Sequence, residues 1–154
     1  MRHIDQLLLE HNFFTGISPE MSRSISACAR QIRFERGVYL FRRGDTADTF
    51  YALRRGLVGL EWKSQVGSVL LQTHHPGDVL NINSLTPPYR CHSDARAIMP
   101  CIVIAINAQS LRRSCDTDHH LGYELMKRLA PTLALQLTEA RLQALDIYGS
   151  ANVS

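Results

Sequence analysis

Residues able to do chemistry crowd into one stretch of this 154-residue chain, Gly77 to Ala97, which reads G-D-V-L-N-I-N-S-L-T-P-P-Y-R-C-H-S-D-A-R-A. Asn81, Asn83, Ser84 and Ser93 offer neutral hydrogen-bonding groups, Arg90 a guanidinium, Cys91 a thiol and His92 an imidazole. Gly77-Asp78 and Pro87-Pro88 mark turns around a short apolar segment, so the stretch reads as a loop between strands, where binding chemistry concentrates. A guanidinium among amides and hydroxyls suits a small anion held by charge-assisted hydrogen bonds. Cys91 beside His92 suits a metal, a haem or a reactive thiolate instead. Two ligands are too few for a metal, and neighbours on a strand face opposite ways. No oxyanion donor set accompanies the thiol, so the chain reads as a binding module and not an enzyme. His74-His75 and His119-His120 read as turn and cap residues.

The surrounding pattern supplies a scaffold for that loop. His3 to His11 reads as a short helix with Ile4, Leu7, Leu8 and His11 on one side. Ser18-Pro19 starts a second helix, with Met21, Ile25 and Cys28 or Ala29 at helical spacing. From about Gln31 the period becomes that of strands: Ile32 and Phe34 alternate with charges, then Val38 to Phe41, Phe50 to Leu53, Leu57 to Trp62 and Val66 to His75 follow. Turns at Gly37, Gly44-Asp45, Gly56 and Pro76-Gly77 separate them. Short strands at this spacing predict an antiparallel sandwich or barrel. Cys101 to Ile106 reads as a strand buried on both faces. Asn107 caps a short helix containing Leu111, and a long helix follows over about Asp118 to Tyr148, ended by Gly149 and a small polar tail. Met126, Ala130, Leu133, Leu137, Ala140, Ala144 and Ile147 form an a/d seam for a second copy of the chain. Leu121, Leu125, Leu129, Leu135, Leu142 and Leu145 form a second stripe, expected against the barrel. Pro131 should kink this helix.

Composition narrows the function classes. With 17 Lys+Arg against 14 Asp+Glu, the net charge is +3 and the basic residues are scattered, which argues against a nucleic-acid face. The four cysteines, Cys28, Cys91, Cys101 and Cys115, share no C-x-x-C spacing and follow no secretory leader. No apolar run reaches the length of a membrane span. A reduced, cytoplasmic setting is the expectation.

Leu40-Phe41-Arg42-Arg43-Gly44-Asp45-Thr46-Ala47-Asp48-Thr49-Phe50-Tyr51-Ala52-Leu53-Arg54-Arg55-Gly56 resembles the strand-turn-strand signature of cyclic-nucleotide-binding domains. Pro76-Gly77-Asp78-Val79-Leu80 resembles the start of that family's phosphate-binding cassette. The final helix is similar to the dimerisation helix of the catabolite-activator (Crp/Fnr) regulators. The resemblance covers nearly the whole chain. It implies a mainly β fold with helices, a cyclic-nucleotide-binding jelly-roll (double-stranded β-helix) barrel with N-terminal helices and a long C-terminal dimerisation helix. The division is residues 1–117 for the barrel domain, 118–148 for the helix and 149–154 for the tail, with no room for a helix-turn-helix. The implied function is a stand-alone regulatory or sensor module, homodimeric, binding cyclic AMP, cyclic GMP or another small anion and signalling to a partner protein. The alternatives are a ligand-free interaction scaffold and a haem or redox sensor.

The cassette departs from the family in detail. Family members place Gly-Glu after the apolar start, the glutamate accepting from the ribose hydroxyl; Asn81-Ile82 stands there. Counting back from Ala95-Arg96-Ala97, the arginine that pairs with the cyclic phosphate is replaced by Cys91, and His92 and Ser93 take the two positions after it. A one-residue bulge would bring Arg90 into the pocket. Asn81, Asn83 and Ser84 would then serve sugar or phosphate. Thr132 stands where the dimer helix faces the base, and equally satisfies a carbonyl beside Pro131. Tyr89 reads as a core aromatic holding the cassette, or as a lid. Asp94 and Arg96 read as a surface pair on one strand.

Overall fold

The computed structural model describes the backbone of residues 3–151 and side chains as far as Asp146. Helix α1 (Ile4–Glu10) buries Leu7 and Leu8. His11 follows it, buried, its Nε2 donating to Leu53 O at 2.8 Å and its Nδ1 accepting from Phe13 N. In α2 (Pro19–Ser26), Ser18 Oγ accepts from Met21 N and Pro19 occupies the first turn, as the sequence requires. That helix ends earlier than its spacing suggested. Ala29 is already paired with Ile106 of the sheet, which takes Cys28 and Ala29 out of the helical face.

Eight strands follow: β1 (Ala29–Phe34), β2 (Tyr39–Phe41), β3 (Thr49–Arg55), β4 (Val58–Ser64), β5 (Gly67–His74), β6 (Val79–Leu80), β7 (Asp94–Ala97) and β8 (Cys101–Asn107). They form two antiparallel four-stranded sheets, ordered β1-β8-β3-β6 and β2-β7-β4-β5, the two-sheet architecture of a jelly roll. Between the sheets lie Leu40, Leu53, Val58, Leu80, Ala95 and Val103. On the opposite face of the first sheet, Phe50, Ile104 and Ile106 pack with Leu8, Phe14, Ile25 and Leu111 of the helices. Strand β8 feeds both cores, because Val103 and Ala105 point one way while Ile104 and Ile106 point the other. The β3–β4 turn needs Gly56: its φ is +89°, and a Cβ there would stand 2.4 Å from Pro100 O.

Asn107 Oδ1 caps α3 (Ala108–Thr117), and Asp118 Oδ1 accepts from Leu121 N at the start of α4 (His119–Ala151). Two expectations for α4 change. It contains Pro131, as expected, but runs past Gly149. The second leucine stripe divides: Leu121, Leu125 and Leu129 are buried against the barrel, but Leu135, Leu142 and Leu145 are exposed. The seam residues Met126, Leu133 and Leu137 are exposed as well; the Ile147 side chain lies outside the described residues. Leu121, Leu125 and Leu129 lie on the core, while further along the helix its hydrogen bonds to β5 are polar, Gln72 Nε2 donating to Glu139 Oε2 at 3.0 Å and Gln143 Nε2 to Leu71 O at 3.3 Å.

Candidate ligand pocket

Strand β6 is two residues long, and the chain leaves it through Asn81 in the left-handed conformation, φ 65°. A 3-10 turn (Ile82–Leu85) follows, then a cis Pro87-Pro88 bond and a second left-handed residue, Tyr89. Asn81 suits the first position, since its short polar side chain tolerates this backbone. Its amide is used by the fold: Nδ2 donates to Thr49 O at 2.9 Å and Oδ1 accepts from the Cys91 thiol at 3.6 Å.

This cassette and α4 enclose a cavity of about 190 Å³. Phe41, Leu60, Val79, Leu80, Ile82 and Leu133 give it an apolar wall. Asn83, Thr86, His92, Ser93 and Gln136 bring polar side chains to it, with Asn81 and His74 completing the lining. The side chains of Asn83, Thr86, His92, Ser93 and Gln136 make no hydrogen bond among the described residues, so they are available to a ligand. His74 is buried and its Nδ1 lies 3.4 Å from Asp78 Oδ2, which makes it a strand residue committed to the turn at Pro76-Gly77. Among the described residues the lining contains no Lys, Arg, Asp or Glu.

Several sequence expectations are corrected here. Arg90 does not face the cavity: it forms an isolated bridge with Thr46, and its exposed Nη1 donates to Thr46 Oγ1 at 3.2 Å. The bulge that would have turned it inward does not form, because Ala47 N and Cys91 N bond across to Tyr89 O and Asp45 O and hold the segment flat against the β2–β3 connection. Cys91 is buried under the cassette, away from the cavity, and burial pushes its thiol up to about 11. It therefore stays protonated at neutral pH and supplies no thiolate. Ser84 is fully buried, its Oγ donating to Asn81 O at 2.7 Å. Thr132 lies on a neighbouring groove with Phe13 and Gly77, its hydroxyl donating to its own i−4 carbonyl, Arg128 O, at 3.3 Å and not to the Lys127 carbonyl that Pro131 leaves without an amide donor. Gln136, one helical turn further on, is the polar α4 residue that reaches the cavity; i, i+4 spacing from Thr132 was the signal available for it. Asp94 and Arg96 do not pair with each other. Asp94 is buried and accepts from Arg43 N at 2.8 Å, while Arg96 Nη2 meets Glu61 at 2.6 Å. Tyr89 is half-buried beneath Arg112 and is not a core residue.

The model of the cyclic nucleotide-binding domain family matches residues 31–118, more than half of the chain. The chain belongs to that family. Among solved structures it is similar to a protein described as cyclic nucleotide-binding from Geobacter metallireducens, at 28% identity and a TM-score of 0.77 over 89% of this chain and 99% of that one. A cyclic nucleotide-binding domain from Methylobacillus flagellatus gives 17% identity and a TM-score of 0.78 over 94% of this chain and 82% of its own. The sensor domain of the transcriptional regulator DNR from Pseudomonas aeruginosa gives 22% and 0.69 over 88% and 91%. The last two share the fold. No curated protein matches the sequence. The jelly-roll fold with a long C-terminal helix thus stands as the sequence implied. The family's cassette chemistry is altered here, for the cavity offers neither a carboxylate for a ribose hydroxyl nor a guanidinium for a phosphate. Among the described residues no group of three side chains is placed to hold a metal ion, and no helix is long and apolar enough to cross a membrane.

Proposed function

We propose that this chain is a non-catalytic regulatory domain whose cassette pocket takes a small uncharged molecule and passes its occupancy to helix α4. The observation that carries the reading is the composition of the lining among the described residues: five free polar side chains, an apolar wall, and no Lys, Arg, Asp or Glu. A phosphate buried in such a site would meet neutral donors but no lysine or arginine to balance its charge, which costs more than a neutral group hydrogen-bonded to Asn83, Ser93 or Gln136. Cyclic AMP and cyclic GMP, the ligands the family implies, carry that phosphate. Leu133 and Gln136 make α4 itself one wall of the pocket, so a ligand that contacts them biases the position of the helix. The exposed seam residues Met126, Leu133 and Leu137 on α4 then serve a second copy of the chain, and a cytoplasmic setting fits the free cysteines. The haem or redox alternative draws no support from Cys91, whose buried thiol bonds to Asn81.

Thermal-shift titrations test this reading. At a hundredfold excess over its Kd, a ligand adds about 2.7 kcal/mol, which for a chain of this size is roughly 5–10 °C in Tm. An uncharged nucleoside or heterocycle from a screening panel is expected to give such a shift, lost in Gln136→Ala, while cyclic AMP and cyclic GMP give none. A saturating shift with either cyclic nucleotide would overturn the uncharged-ligand assignment.

A further inference from the structure

Arg112 is half-buried and lies outside the pocket lining, yet it reaches the cassette. From α3 its Nη1 donates to Ser84 O at 2.5 Å, at the end of the 3-10 turn. The same guanidinium lies over the ring of Tyr89, 4.0 Å from the centroid. Ser84 and Tyr89 bracket the cassette's irregular segment: one closes the turn that begins at left-handed Asn81, the other is itself left-handed at φ 57°. Between them, Thr86, Pro87 and Pro88 are exposed and make no strand pairing. Left-handed backbone at an asparagine and a tyrosine is disfavoured intrinsically and persists where surrounding contacts fix it. Asn81 has such contacts from Thr49 and Cys91; for Tyr89 the side-chain contact is Arg112.

We infer that Arg112 is the positioning residue of the cassette: it clamps both ends of the irregular segment from α3, keeping the pocket formed before any ligand arrives. The clamp also makes α3 and the cassette move together. Helix α3 packs closely on α4, where a Cβ at Gly122 would stand 3.4 Å from Cys115, so displacement of the cassette has a short path of contacts to the long helix. The inference rests on the cassette being the ligand site, but it concerns the free protein and is tested without ligand.

The test is amide hydrogen exchange on the full chain with Arg112→Gln, Arg112→Lys and Tyr89→Leu. The reporting amides are Ser84, Thr86 and Tyr89, which donate to Asn81, Asn83 and Thr86 carbonyls inside the cassette. Loss of a charged hydrogen bond and a cation–π contact should speed their exchange by about tenfold or more. In Arg112→Gln the strand amides of β3 and β8 should keep wild-type rates. Arg112→Lys should restore part of the protection, and Tyr89→Leu should reproduce part of the loss. Unchanged cassette exchange in Arg112→Gln, or an equal increase throughout the sheets, would overturn the clamp. Either result would leave the ligand assignment to stand or fall on the thermal-shift titrations.

Discussion

The arginine that should meet a phosphate offers the sharpest test of the pocket's chemistry. Arg90 is the nearest arginine in sequence to the family position, yet its guanidinium is exposed and bonded to Thr46 Oγ1 at 3.2 Å. An exposed contact of that kind contributes at most about 0.5–1 kcal/mol, so Arg90→Ala should leave stability nearly unchanged and ligand binding within about twofold. His92 is the converse case. It is exposed, lines the cavity and has no hydrogen-bond partner among the described residues, so His92→Arg is sterically open and brings a guanidinium to the site. One charge-assisted bond to a cyclic phosphate is worth about 1.5–3 kcal/mol, or roughly 10- to 150-fold in Kd. Isothermal titration of wild type, Arg90→Ala, His92→Arg and the double variant with cyclic AMP measures both effects. The expected order is no detectable binding in wild type and Arg90→Ala, and measurable binding in the two proteins carrying His92→Arg. Binding in wild type that disappears in Arg90→Ala would refute the geometry, since it would require Arg90 to reach the cavity.

Two further outcomes follow from the helices. Leu137 is 52% exposed on α4, so Leu137→Glu should leave Tm within a degree or two while converting a homodimer to monomer in light scattering; a dimer that survives would place the contact elsewhere. Burial holds the His11 imidazole below its ordinary value of 6.5, outweighing the Leu53 carbonyl and Asp78, which raise it. Protonation therefore favours the unfolded chain, and this contribution is complete above about pH 6.5 and lost as pH falls through the lower folded value. The urea midpoint of wild type should drop between pH 7.5 and 5, and His11→Gln should flatten that slope; a midpoint constant across this range would remove His11 from the account.

Local sequence carried the elements and their order. Ser18, Asn107 and Asp118 each act on an amide three residues on, so capping was legible without tertiary context. The alternation of Val103–Ala105 with Ile104–Ile106 likewise revealed a strand with two buried faces. The substitutions at Ile82 and Cys91 were visible as departures from the family's cassette. What the sequence could not carry was direction. Whether Arg90 turns inward depends on hydrogen bonds from Ala47 and Cys91 across to another connection, contacts made by residues more than forty positions apart. The partners of Asp94 and Arg96 were decided in the same way, by Arg43 arriving from the turn after β2 and Glu61 from β4. Helix α4 shows the division most plainly. Its leucine pattern is fixed by a local period of 3.6, but which leucines are buried depends on which turns of the helix lie over the core of α1, α2 and the first sheet, and no single helix encodes that.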